Sequence, residues 1–221
     1  DGNGYIVLSP QVLHAGNYGV PESRERVIFI GIRKDALKEE IAQILKNDLI
    51  PNHLNPYPQP THNCTLNDET LATPVVLCDV LKQLKEPKES FDPSQRFYSK
   101  AKYMGAHCQG QKEITMNSIG PTIRSEHHGN IEYRRLSLEH GGTNKNELEK
   151  GLAERRLTPR ECALIQTFPP DFQFVIPKDY DWKRFIVSAS GAYKVIGNAV
   201  PPILAYHIAM RIQNLWSTYF K

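Results

Sequence analysis

Apolar positions along the chain fall into short runs separated by turn-forming stretches, and the period of each run predicts an element. Tyr5, Ile6, Val7 and Leu8 start one strand, and Val27-Ile28-Phe29-Ile30-Gly31-Ile32 is a continuous apolar run of the kind found in strands covered on both faces. Between them lie the turn-rich Asn17-Tyr18-Gly19-Val20-Pro21 and the charged Glu22-Ser23-Arg24-Glu25-Arg26. Leu37, Ile41, Ile44 and Leu45 then recur at i, i+4, i+7 and i+8, one face of an amphipathic helix that ends before Pro51. Strand, turn, strand, helix predicts an α/β fold.

Four prolines between Pro51 and Thr61 interrupt regular structure and mark a linker or a surface strap. Val75 to Leu84 is apolar enough for a short helix, Glu86 to Pro93 is loop-like, and a domain boundary is expected near residue 88. Residues 89–155 have weak periodicity, several Gly-centred turns and short β-favouring runs, Ile119 to Ile123 and Ile131 to Tyr133, and read as a small irregular β-rich module. Thr158-Pro159-Arg160-Glu161 is a capping box opening a helix over 158–168, which stops before Pro169-Pro170. A last helix is entered through Pro201-Pro202, with Leu204, Ile208, Ile212 and Leu215 on one face.

The 221 residues are 40% hydrophobic and 23% charged, which supports a buried core and excludes disorder, collagen and coiled coil. No run approaches the roughly 20 apolar residues that cross a bilayer, and residues 1–4 carry no signal core, so a soluble, cytoplasmic protein is expected. The four cysteines are too sparse for a disulfide scaffold and form no Cys-x-x-Cys pair, so free thiols and no structural zinc are expected. Charge is more informative by segment: residues 96–160 hold 12 basic and 7 acidic residues with no Asp, a local +5 within a total of +3. With four of the eight histidines there as well, the balance suits a polyanion partner, although an ordinary solvated surface has the same composition.

Three segments carry candidate chemistry. Arg24 and Arg26, two apart before an apolar strand, project the same way on an extended backbone and form a double guanidinium for a phosphate or a planar carbonyl, or else an exposed cluster paired with Glu22 and Glu25. Arg155 to Pro169 is a well-capped helix with arginines on both sides of its first turn, read as organising the fold. In Tyr193 to Ala205, Gly197 permits close backbone approach, Asn198 offers an amide and the following helix presents its positive N-terminus, a seat for a ligand carboxylate or phosphate or simply a Gly-Asn turn before a helix.

In this order the three segments resemble the C-terminal part of the DNA (cytosine-5) methyltransferase family, closely over residues 4–33 and 155–215 and in general character between. The resemblance implies that Arg26 contacts the cytosine carbonyl, that Arg24 helps hold the site and a nearby phosphate, and that Asn198 and Ala199 border the S-adenosylmethionine site. It also implies that the basic interval is a target recognition domain. There the stretch Gly120 to Asn130 resembles the family's recognition stretch, with Thr122, Ile123, Arg124, His127, His128, Asn130, Arg134 and Arg135 as DNA-binding candidates. The family usually has Gln where this chain has Glu22.

The family's Pro-Cys-Gln loop, Glu-Asn-Val strand and N-terminal Gly-containing turn do not occur, and each cysteine reads as a packed or incidental thiol. The expected fold is therefore a partial Rossmann-like methyltransferase sheet, last strands and C-terminal helix, plus a small β-rich recognition domain. Residues 1–88 belong to the catalytic domain, 89–190 to the recognition domain and 191–221 to a segment returning to the catalytic domain. The chain is expected to be inactive alone and to act on double-stranded DNA with the N-terminal half, in the same chain or a separate subunit, in a bacterial cytoplasm. Its non-Met start at Asp1 favours a fragment of a longer chain over a natural split subunit. A free-standing sequence-specific DNA-binding module without catalysis is the alternative.

Overall fold

Residues 5–33 form one long bent hairpin. In the computed structural model, which describes residues 4–47, 49–125 and 131–221, β1 (Tyr5–Val7) and β2 (Gln11–His14) return as β3 (Glu25–Ile28) and β4 (Gly31–Arg33). β2 pairs antiparallel with β3, Gln11 opposite Ile28 and His14 opposite Glu25, and β1 pairs with β4, Tyr5 opposite Arg33. Pro10 has no N–H to carry the ladder across the bend, and the Leu8 amide donating to Ile30 O at 3.0 Å holds the two halves in line. The tip is a 3₁₀ turn, Ala15–Tyr18, closed by Gly19 at φ +83°, where a Cβ would lie 2.8 Å from the His62 ring.

The run Val27 to Ile32, expected as a strand covered on both faces, is two short strands with one face bare. Alternation buries Ile30, whereas Val27 and Phe29 are 54% and 69% exposed, with Tyr5, Val7 and Val12 exposed beside them. An apolar run of this kind is matched here by only one covering layer among the described residues.

The remaining elements are α1 (Glu39–Ile44), α2 (Leu77–Leu81), α3 (Pro93–Arg96), β5 (Tyr133–Arg135), α4 (Lys145–Glu149), β6 (Arg155–Arg156), α5 (Pro159–Ile165), β7 (Ile176–Pro177), β8 (Phe185–Val187), α6 (Ala189–Asn198) and α7 (Pro202–Tyr219). The named strands pair only as antiparallel twos among the described residues, β5 with β6 and β7 with β8 after the hairpin. Strands and helices are thus both present, and among the described residues the named strands form no parallel sheet, so the expected partial Rossmann-like sheet is not seen there. The α5 capping box forms as its sequence predicts: Thr158 Oγ1 accepts from the Glu161 amide at 3.0 Å and the Thr158 amide donates to Glu161 Oε2 at 2.9 Å.

Packing groups the chain differently from boundaries at 88 and 191. One core joins Leu77 and Leu81 of α2 to Ile114, Ile123, Leu157, Ile165 and the α6 residues Ala192, Tyr193 and Ile196. A second gathers the hairpin base and α1 with Leu215 and Tyr219 of α7, and a third packs Leu13, Ala15, Tyr18 and Val20 against Leu204. α7 therefore closes over the hairpin, while α6 belongs to the other core. The proline-rich segment is a strap on the hairpin: Tyr57 donates its hydroxyl to Ser9 O and Ile28 O at 3.1 and 3.0 Å, and Tyr18 donates to Pro58 O at 3.1 Å.

Candidate functional site

The arginine segment, the stretch from Gly120 and the turn at Gly197 meet in one buried joint. Backbone stitches the first two together: Ser23 N donates to Gly120 O at 2.8 Å, Gly120 N to Pro21 O at 2.9 Å, and Thr122 Oγ1 to Ser23 O at 2.5 Å. Arg24, 1% exposed, spans all three segments. Its Nη1 donates to Ile123 O at 2.8 Å and its Nη2 to Gly197 O at 2.6 Å and Ala199 O at 2.9 Å. Glu22, also buried, accepts the Ile123 amide at 2.6 Å and Arg24 Nη1 at 3.3 Å on the same oxygen, Oε1. Burial raises the Glu22 carboxyl to about 7, against the opposing pull of Arg24, the Ile123 amide and Arg26. Burial likewise lowers Arg24 below the ordinary guanidinium value, with Glu22 opposing.

The double guanidinium is not formed. Arg24 points inward to main-chain carbonyls, while Arg26 is half-buried on β3 and donates to Glu25 O at 2.6 Å. The Gly-Asn turn is also different in the structure: Gly197 and Asn198 are the last turn of α6. A Cβ on Gly197 would lie 2.2 Å from Arg124 C and Ser125 N, so the helix touches the recognition stretch through its backbone. Asn198 is exposed and Ala199 half-buried, with Val200 and Ile203 exposed at 42% and 37%. The start of α7 is a poorer anion seat than expected: Pro201 and Pro202 have no N–H, and the Ile203 amide donates to Thr167 Oγ1 at 3.1 Å.

The recognition candidates divide sharply. Thr122 lies in the joint and Ile123 is 2% exposed in the core, so neither faces solvent freely. Arg124 keeps 29% of its side chain exposed and meets Glu132 at 3.4 Å. Arg134 and Arg135 are interior. Arg135, 1% exposed, donates to Glu86 Oε2 at 2.6 Å, to Ala153 O at 2.7 Å and to Glu147, and Arg134 pairs with Glu147 at 2.6 Å. His127, His128 and Asn130 lie outside the described residues. The partners of these arginines are acids that no local sequence pattern announces: Glu86 also binds Arg155 at 3.0 Å, Arg155 pairs with Glu161 at 2.8 Å, and Asp92 holds Arg160 at 2.5 Å. Burial alone would raise the Glu86 carboxyl, but hydrogen bonds and charge from Arg155 and Arg135 outweigh it and hold it at about 2. Glu86 and Asp92 lie outside the +5 segment and neutralise arginines inside it, so the basic surface is smaller than the count implied.

A model of the C-5 cytosine-specific DNA methylase family matches residues 1–214. The chain belongs to that family. It is 32% identical over 224 residues to the Type II methyltransferase M.BspRI of Lysinibacillus sphaericus, covering 99% of this chain and 46% of the relative. To M.BsuRI of Bacillus subtilis it is 30% identical over 214 residues, 96% of this chain and 43% of the relative, and to M.FnuDI of Fusobacterium nucleatum 28% identical, with 96% and 56% covered. The chain thus spans about half the length of the curated relatives it matches. The solved structure of the S. pombe Dnmt2 methyltransferase overlays with a TM-score of 0.48 at 16% identity, covering 96% of this chain and 58% of that one.

In this C-5 methylase chain all four cysteines are unpaired. Burial in α5, with Glu161 and Glu22 adding to it, pushes the Cys162 thiol well above its ordinary value, and burial also raises Cys64. Cys162, with no exposed surface, is a packing group of that core. Among the described residues no three His, Cys, Asp or Glu side chains converge to hold a metal, and no helix is long and apolar enough to cross a membrane.

Proposed function

We propose that these residues form the C-terminal portion of a DNA (cytosine-5) methyltransferase that methylates C5 of a flipped cytosine. The portion supplies DNA recognition, with double-stranded DNA as partner, and one wall each of the active and cofactor sites. The carrying observation is the convergence of three segments, distant in sequence, on Arg24. In this reading Arg26 reaches the cytosine carbonyl, Arg24 holds the site's backbone, and Arg124 reads DNA together with His127, His128 and Asn130. Asn198 and Ala199 fit an edge of the S-adenosylmethionine site: an exposed amide beside the apolar Val200 and Ile203 matches a ligand with polar and apolar parts. When bound, that cofactor supplies an electrophilic methyl group; this chain's residues hold one side of it.

The nucleophile belongs to the N-terminal half in this proposal. The bare hairpin face of Tyr5, Val7, Val12, Val27 and Phe29 supports a place for that half, since an apolar face this continuous is otherwise costly in water. Beside it a groove of about 540 Å³ is lined by Tyr5, Ile32, Ile212, Trp216 and Phe220. The deciding experiment mixes residues 1–221 with a separately expressed N-terminal half, labelled S-adenosylmethionine and DNA. Methyl transfer only in the mixture is expected; sequence-specific binding with no transfer would leave a DNA-binding module instead.

A further inference from the structure

Glu22 occupies the centre of the joint with an unusual distribution of bonds. Its side chain and that of Arg24 are both fully buried. Oε1 takes the Ile123 amide and the Arg24 contact, while Glu22 Oε2 and Arg24 Nε have no partner among the described residues. A buried carboxylate is held in place by the few groups that reach it, and here those are the Ile123 amide and Arg24, both on Oε1, while an amide of the same shape keeps an oxygen for the same two donors. We infer that Glu22 is a positioning residue: through the Ile123 amide and Arg24 it sets the Thr122–Arg124 stretch against the Gly197–Ala199 turn.

The groups facing Glu22 from each packed element agree with this role. Arg24 and Arg26 come from its own segment, the Ile123 amide from the recognition stretch, and Cys162 from α5, whose thiol the Glu22 charge pushes upward. Burial raises the Glu22 carboxyl to about 7, so its charge changes near neutral pH, and the groups that meet that change first are the Ile123 amide at 2.6 Å and Arg24 Nη1 at 3.3 Å. The same contacts continue to Asn198, because Arg24 grips the Gly197 carbonyl at 2.6 Å and the α6 backbone abuts Arg124. DNA on one side and cofactor on the other are thereby joined through one buried acid. What the positioning serves rests on the proposed methyltransferase reading; the positioning itself does not.

The test follows the backbone amide resonances of Ile123 and Asn198 in the whole protein carrying these residues, from about pH 5.5 to about 8.5. Asn198 shares its peptide with the Gly197 carbonyl. In wild type both resonances should titrate together with a midpoint near 7, and in Glu22→Gln both should hold their low-pH positions throughout. Discrimination between DNA sequences should fall roughly tenfold in Glu22→Ala and return in Glu22→Gln, as loss and replacement of a buried hydrogen bond imply. Ile123 insensitive to both pH and Glu22→Gln, or Ile123 titrating while Asn198 stays fixed, would overturn the inference. If wild type transfers no methyl group, the functional reading fails, and the resonances still decide the role of Glu22.

Discussion

The substitutions Gly191→Ala and Gly197→Ala lie six residues apart on one helix, and the structure gives them very different costs. At Gly197 a Cβ would stand 2.2 Å from Arg124 C and Ser125 N and 2.3 Å from Arg124 O, where ordinary contact begins at 3.4 Å. The recognition stretch would have to retreat by the difference, about 1.2 Å, which is more than the Ile123–Glu22 and Arg24–Ile123 bonds at 2.6 and 2.8 Å can follow. Overpacking against backbone costs about 1–3 kcal/mol, and two strained buried hydrogen bonds add about 1–3 kcal/mol. The gain in helix propensity returns about 1 kcal/mol, leaving a net loss of roughly 1–5 kcal/mol.

At Gly191 the nearest atoms are Val187 Cγ1 at 3.3 Å, a tenth of an ångström inside ordinary contact, and Ser188 Oγ at 3.9 Å, so Ala there should change stability by no more than about 1 kcal/mol in either direction. Thermal melts of both variants should therefore separate by on the order of 10 °C for a chain of this size. Urea titration should show the difference as a shift in midpoint at unchanged slope. If Gly197→Ala proves as stable as Gly191→Ala, the close approach of α6 to the recognition stretch is wrong, and the joint with it.

Other outcomes follow from the same contacts. Glu86→Gln should cost about 2–3 kcal/mol in chemical denaturation, because Arg135 and Arg155 keep only part of their compensation. The two buried acids bias acid stability in opposite directions. Glu86, held at about 2, contributes stability above the ordinary 4.5 that is lost as pH falls toward 2, whereas Glu22, raised to about 7, contributes stability at low pH that is lost as pH rises from 4.5 through 7. Stability curves of wild type, Glu86→Gln and Glu22→Gln against pH separate these contributions. Thr158→Ala should lose about 1–2 kcal/mol, more than a solvent-exposed cap, since Oγ1 also donates to Gln95 at 2.6 Å inside the core. Arg26→Ala should abolish reconstituted methyl transfer with an unchanged melting temperature; retained turnover would contradict its proposed contact with the base.

What was legible in the sequence was chemistry contained in neighbouring residues. The Thr158–Glu161 box needs only a hydroxyl and a carboxylate three residues apart, and it forms as read. The face of α7 is similarly local, with Leu204 and Leu215 buried as their spacing predicts. Partners chosen by the path of the chain were not legible. Nothing near Arg135 or Arg155 announces Glu86, which lies 49 and 69 residues away, so both the internal pairing and the size of the basic surface were misjudged. The hairpin run Val27 to Ile32 had a composition fit for two covered faces, but which faces receive cover depends on residues that do not adjoin it. The placement of Gly197 at the end of α6 was missed because Gly-Asn signals a turn equally well when it closes a helix.

The withdrawal of arginines into the interior sets how this chain responds to ionic strength. Of the 12 basic residues in the segment 96–160, the exposed ones are Arg96, Lys100, Lys102, Lys112, Lys145 and Lys150, with Arg124 partly so. Each phosphate neutralised releases about 0.9 of a condensed counterion, so this segment sustains a log–log salt slope no steeper than roughly −6. Counting every cation would give roughly −11. If the segment binds DNA as proposed, added salt should loosen the complex only moderately, and an alanine scan across Arg134, Arg135, Arg155 and Arg156 would report loss of the fold and not loss of contacts.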